Sequence, residues 1–183
     1  MIPKEWKEEP KEEVNTEPKK LRNNMFEEEK GKKYKTHPVS PDPKFDSVLV
    51  SKFINHLMKG GKKSVARKIV YNSFERIKKE TKKDPLEVFK EALDKITPEM
   101  EVRSKRVGGA TYQVPYKVDQ KRGTSLAMRW MVEATRSKKG ASTEEKLTKE
   151  ILEALKGQGD AIKKKDNVER MAQANKAFAF LAK

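Results

Sequence analysis

The chain has 183 residues, with 43 lysines and arginines against 28 acidic residues, for a net charge of +15. It has no cysteine, which excludes disulfides, thiol nucleophiles and thiolate metal sites together, and it has no run of about 18 apolar residues to span a membrane. Residues 1–33 hold nine basic and nine acidic side chains, so the whole excess falls on residues 34–183, and a basic body of that kind points to a polyanionic partner.

Residues 1–40 are poor in apolar side chains and carry prolines and mixed charge runs such as Glu27-Glu28-Glu29. That composition buries too little surface to offset the entropy of ordering, so the stretch reads as a charge-balanced extension, disordered unless bound. It lacks the apolar centre of a signal peptide, and its nine glutamates argue against an organellar transit peptide. Prolines at 41 and 43 mark the boundary, because each fixes its own φ and pushes its predecessor out of the helical region. Residues 41–183 then read as one helical domain.

Six helices are expected, with a β-hairpin between the third and fourth. The first places Phe45, Val48, Leu49, Phe53 and Leu57 at helical spacing and stops at Gly60-Gly61. The second, about 62–80, carries Ala66, Ile69, Val70, Ser73, Phe74 and Ile77. The third opens on Asp84, Pro85 and Glu87, a cap, a proline at the first helical position and an acid three residues past the cap. It buries Leu86, Phe89, Leu93 and Ile96. The fourth, about 123–137, offers Leu126, Ala127, Trp130, Met131 and Ala134. The fifth opens on Ser142 and Glu145 in capping-box spacing and shows Leu147, Ile151 and Leu155. The sixth is expected near Asp166 and Glu169, with Val168, Met171, Ala172, Phe178 and Ala179 on its apolar stripe and Asn175 among them, satisfied internally.

The hairpin, at about 101–118, is the most informative segment. Gly108-Gly109 suits a two-residue turn in which both residues need positive φ. Counting outward pairs Val107 with Ala110, Arg106 with Thr111, Lys105 with Tyr112, Ser104 with Gln113 and Arg103 with Val114. One face then carries Arg103, Lys105 and Tyr112; the other carries Ser104, Arg106, Thr111 and Gln113. Neither is apolar enough to lie on a core. At about 3.3 Å per residue, seven residues per arm project roughly 23 Å, and a cationic finger with an aromatic ring suits a nucleic-acid groove.

Catalytic signals are poor. The two histidines are His37, in the extension, and His56, on the first helix, and no HExxH, GxSxG or complete phosphate-loop pattern is present. Gly60-Gly61 before Lys62-Lys63 lacks the preceding strand and full spacing of a phosphate loop, so it reads as a helix stop and a basic helix start. Lys62 and Lys63 still suit a phosphate, since backbone N–H groups are free at a helix start. Arg129, Glu133 and Arg136 share one face of the fourth helix, where Glu133 can pair with either arginine, and Lys121 and Arg122 stand at the hairpin's base. Lys163, Lys164 and Lys165 precede the expected last helix, where a nearby phosphate would compensate positive charge at the macrodipole's positive end. Arg170 and Lys176 lie on that helix's surface.

Taken in order, several blocks resemble one family. They are Pro41 to Phe45, Lys52 to Asn55, Gly61 to Ser64, Ile69 to Tyr71, Val102 to Pro115, Leu126 to Trp130 and Met171 to Phe178. Together they resemble the bacterial-type small-ribosomal-subunit protein seven family. The resemblance implies a helical bundle with a protruding β-hairpin and no catalysis, cofactor, metal, membrane or small-molecule substrate. It implies binding to the 3′ major domain of small-subunit rRNA, nucleation of the subunit head, exit-site tRNA and the mRNA exit path nearby, and small-subunit proteins nine, eleven and thirteen as partners. Repression of translation through the chain's own mRNA leader is the alternative it also implies. Carried over by position, the rRNA-binding residues are Lys35, Lys44, Lys62, Lys63, Arg103, Lys105, Arg106, Arg122, Arg129, Arg136, Lys163, Lys164, Lys165 and Arg170. The hairpin residues near tRNA and mRNA are Arg106, Val107, Gly108, Gly109, Tyr112 and Gln113. The expected location is the bacterial cytoplasm, within the small subunit, with an organellar ribosome as the alternative.

The chain departs from the family's pattern at both ends. Bacterial members begin with a short arginine-rich tail, which Lys32, Lys33, Tyr34 and Lys35 replace here behind a longer extension. Many members also continue past the last helix through a histidine and aromatic residues, whereas this sequence ends on Phe180, Leu181, Ala182 and Lys183.

Overall fold

The computed structural model describes residues 39–182. Lys35 and the extension up to Pro38 lie outside the described residues. Six α-helices and one hairpin follow: α1 (Val48–Leu57), α2 (Lys63–Thr81), α3 (Pro85–Ile96), β1 (Met100–Val107), β2 (Ala110–Lys117), α4 (Gln120–Ser137), α5 (Thr143–Leu155) and α6 (Asp160–Ala174). A 3-10 helix, Lys176–Ala182, closes the described chain. The fold is therefore mainly α, with a two-stranded antiparallel sheet, as expected.

Local chemistry accounts for two of these helix starts and for one turn. Asp84 accepts the Leu86 N–H at 3.4 Å, with Pro85 at the first helical position of α3. Ser142 accepts the Glu145 N–H at 3.3 Å to open α5. Gly60 and Gly61, at φ 59° and 74°, turn the chain between α1 and α2 in a conformation that a Cβ disfavours.

The apolar faces meet in a single core. Phe45, Phe74, Phe89 and Phe53 form a run of rings with centroids 4.9 to 5.4 Å apart, joining the start of the domain to α2, α3 and α1. α5 sits against α2, α3 and α4, which leaves Leu147, Ile151 and Ala154 without solvent contact. Met128 and Met131 of α4 fill the remaining side.

The sixth helix corrects the sequence expectation. It begins at Asp160, not near Asp166, so Lys163, Lys164 and Lys165 lie within it rather than ahead of it. The reason is a cap from a different helix: the carboxylate of Glu150, on α5, accepts the Ala161 N–H at 2.9 Å. Gly159, at φ 104°, lets the backbone approach, since a Cβ there would stand 3.0 Å from Glu150 Oε1. The apolar stripe shifts with the start. Ala161 and Ala172 are buried, Ile162 and Val168 pack on the core, and Met171 is 52% exposed. Asn175 is satisfied internally, its Nδ2 donating to Met171 O at 2.8 Å.

Candidate nucleic-acid interface

The hairpin has the register that the turn dictates: Val107 faces Ala110, Lys105 faces Tyr112 and Arg103 faces Val114. Gly108 and Gly109 hold φ of 57° and 91°, the two positive values that a two-residue turn requires. The arms are not bare along their length. Val114 and Pro115 are buried at the base, and the 3-10 helix lies along β2. Tyr112 meets the ring of Phe178 with centroids 5.2 Å apart, and Lys105 Nζ donates to Leu181 O at 2.6 Å. The face carrying Arg103, Lys105 and Tyr112 is therefore partly covered by the chain's own end. The periodicity of the strands shows only their own polarity, not a cover supplied some 70 residues later. The opposite face, with Ser104, Arg106, Thr111 and Gln113, is open, as is the tip at Val107, Gly108 and Gly109. Gln113 Nε2 donates across the strands to Ser104 Oγ at 3.0 Å.

The cations singled out from the sequence fall into two groups. Lys62, Lys63, Arg106, Arg129 and Arg170 are exposed and make no ion pair or side-chain hydrogen bond among the described residues. The backbone N–H groups of Lys62 and Lys63 are spent within the turn, donating to Lys59 O at 3.3 Å and Gly61 O at 2.8 Å. Those two positions thus offer a phosphate their ammonium groups and no free backbone donors.

The remaining cations are held by the fold. Lys44 Nζ lies 2.8 Å from Glu75 Oε1 and 5.0 Å from the centroid of the Tyr71 ring. Arg136 donates to Leu57 O at 3.1 Å, tying α4 to the end of α1. Arg129, by contrast, has no such partner; its charge adds to the effect of burial, and the two together push His56 below its ordinary value. Lys163 pairs with Asp160 at 3.0 Å, and Lys165 donates to Lys95 O at 3.0 Å. Glu133 pairs with neither arginine on its own helix; Lys164 Nζ takes it at 2.5 Å. The α6 start explains this, because beginning the helix at Asp160 brings Lys164 alongside α4.

Arg103 and Arg122 are brought together from β1 and the first turn of α4. Both bind Glu101, with Arg103 donating to Oε1 and Arg122 Nε to Oε2 at 2.7 Å. The guanidinium of Arg103 also lies 5.2 Å from the Tyr116 ring centroid. Sequence reasoning passed over Glu101, although its spacing of two from Arg103 puts both on one face of the strand. It also passed over Lys138, which pairs with buried Glu150 at 2.5 Å and with Glu153 at 2.7 Å. Burial alone would lower the lysine's pKa; the hydrogen bonds to the two carboxylates outweigh it and raise the group above its ordinary value. Asp42, likewise buried, accepts the Tyr71 hydroxyl at 2.7 Å, and burial followed by that bond pushes the phenol up.

Among the described residues, no group of three His, Asp or Glu side chains is placed to hold a metal ion, and no helix is long and apolar enough to cross a membrane. What the surface offers is a set of exposed cations and an exposed two-stranded tip.

Comparison with known proteins agrees with that surface. The family model for ribosomal protein S7p/S5e matches residues 28–176. Small ribosomal subunit protein uS7 of Thermotoga maritima is 57% identical over 141 residues, covering 77% of this chain and 91% of that protein. Its namesake in Dictyoglomus thermophilum is 56% identical over 141 residues, covering 77% and 90%. That in Petrotoga mobilis is 51% identical over 141 residues, covering 77% and 91%. With a matched span that takes in all six helices and the whole hairpin, the chain belongs to the ribosomal protein S7p/S5e family.

Proposed function

We propose that this chain is a structural, non-catalytic protein of the small ribosomal subunit that binds the 3′ major domain of small-subunit rRNA and nucleates folding of the subunit head. Its relatives carry the name of a small-subunit protein over nine-tenths of their length. The observation that carries the reading is the set of unpaired exposed cations, Lys62, Lys63, Arg106, Arg129 and Arg170, on a body that holds the chain's whole excess of +15. Cations left without carboxylates suit phosphates: binding releases the condensed counterions, so affinity falls steeply as salt is raised. Selectivity then comes from the shape of a folded RNA junction rather than from a long base sequence.

The open hairpin tip at Val107, Gly108 and Gly109, with Arg106 and Gln113 beside it, faces exit-site tRNA and the mRNA exit path, while Tyr112 supports it from the covered side. Small-subunit proteins nine, eleven and thirteen are the neighbours. Lys35 contributes from the extension as a replacement for the family's basic tail. The working location is the small subunit in the bacterial cytoplasm.

The test is a binding titration against a 3′-domain rRNA fragment and an unrelated structured RNA of equal length, at several salt concentrations. Tighter binding to the fragment, with affinity falling as salt rises, is expected. Equal affinity for both RNAs would reject specific recognition.

A further inference from the structure

We propose that Glu101 is a positioning residue whose buried carboxylate holds Arg103 and Arg122 as a two-guanidinium cradle for one backbone phosphate of the RNA. The inference rests on the RNA-binding reading above and names a site within it.

The Glu101 side chain is 8% exposed, whereas those of Arg103 and Arg122 are 51% and 50% exposed. One carboxylate thus serves two guanidiniums from its buried side and leaves both open on the other. The triad keeps a net charge of +1. A guanidinium has five N–H donors, and Arg122 spends only Nε on the carboxylate. Arg103 spends Nε and one terminal nitrogen on it, and the Tyr116 ring backs its plane. Terminal N–H groups on both arginines remain for a second anion, and planar forks match phosphate oxygens better than any ammonium.

The arginines come from different elements, 19 positions apart in the sequence, and repel each other. Without an anion between them they would separate and regain rotamer freedom. Glu101 removes both tendencies before the RNA arrives, so a phosphate meets donors already in place and the ordering cost of binding is reduced. An exposed carboxylate that merely offset charge would need neither burial nor two partners.

The role fixes the sign of a substitution. Glu101→Gln keeps the shape and removes a negative charge from a surface that binds a polyanion. Bulk electrostatics then predicts tighter RNA binding; the cradle predicts weaker binding. The experiment titrates the full chain, wild type and Glu101→Gln, with the 3′-domain rRNA fragment and the equal-length control RNA, and records affinity against salt. The expected result is a loss of about tenfold and a salt slope shallower by about one unit, as for one lost phosphate contact. The double variant Arg103→Lys and Arg122→Lys keeps the charge and removes the forks. It is expected to show the same loss, and it serves as the reading should Glu101→Gln lose its folded circular-dichroism spectrum.

Wild-type or tighter binding in either folded variant overturns the cradle. Should the wild type prefer the rRNA fragment while both variants match it, the cradle fails and the rRNA reading stands. Should the wild type show no preference while both variants lose affinity for both RNAs, the cradle stands and the rRNA reading fails. No measurable RNA binding by the wild type overturns both.

Discussion

Lys164 Nζ lies 2.5 Å from Glu133 Oε1, so a lysine of α6 takes the acid that sits between two arginines of α4. The pair spans 31 positions and is half exposed, at 44% and 57% for the two side chains. Glu133 therefore leaves Arg129 and Arg136 without an acid on their own face and occupies a cation that the family resemblance assigns to rRNA. Removing it should free Lys164 for a phosphate. Glu133→Gln is expected to tighten binding to the rRNA fragment several-fold in a titration at low salt. Stability should change by less than about 1 kcal/mol in urea denaturation, as for other exposed pairs. Weaker binding would show that Glu133 positions Lys164 rather than masking it, and the contrast with Glu101→Gln makes the two carboxylates opposite controls.

Gly123 supplies a prediction about the hairpin's foundation. It lies in α4 where a Cβ would stand 2.8 Å from Thr97 Cγ2, and Thr97 cannot swing aside freely because its hydroxyl donates to Leu93 O at 2.8 Å. Alanine gains about 1 kcal/mol of helix propensity over glycine, while overpacking costs about 1–3 kcal/mol. The clash should win. Gly123→Ala is expected to lower the urea midpoint with an unchanged slope; a raised midpoint would show that the turn at Thr97 yields.

His56 tests the surroundings of α1. Burial, then the charge of Arg129, lowers its pKa below the ordinary 6.5. The unfolded chain consequently binds more protons below about pH 6.5, and stability present above that value falls as the pH is lowered. In an NMR titration the imidazole midpoint should lie below 6.5 in the wild type and rise only part of the way in Arg129→Ala, because burial is the larger cause. A midpoint unchanged by Arg129→Ala would remove the arginine from the account.

Lys138 makes the opposite pH prediction. Its folded pKa is raised above the ordinary lysine value of 10.5, the pull of Glu150 and Glu153 outweighing burial. The stabilisation is then fully present below pH 10.5 and lost as pH rises through the folded value. Lys138→Met should cost about 3 kcal/mol at neutral pH, since Glu150 is left buried beside the start of α6, and should flatten the alkaline fall in stability. Denaturant melts from pH 8 to 12 read both effects. An alkaline fall as steep in the variant as in the wild type would assign it to other groups.

The chain's own chemistry made the hairpin readable. Gly108-Gly109 fixes the turn, and with it the whole register out to Arg103 and Val114. The caps at Asp84 and Ser142 were readable for the same reason, because each acts on backbone two or three residues away. What escaped was chemistry carried by residues distant in sequence. α6 starts six residues early because Glu150 reaches it from α5. Met171 stays in solvent, and the covered face of the hairpin depends on Phe178 and Leu181 from the last turn of the chain. In the candidate interface, residue types showed which cations were present and that Glu133 lay among them, while the role of Glu101 and the pairing of Glu133 with Lys164 emerged only from the packing.

The most direct test of the account is protein–RNA crosslinking in living cells, read at nucleotide and peptide resolution. The account predicts crosslinks concentrated in the 3′ major domain of small-subunit rRNA, from peptides that contain Lys62 and Lys63 and from the hairpin around Arg106. Crosslinks spread evenly over cellular RNA, or recovery of the chain apart from small subunits, would contradict it.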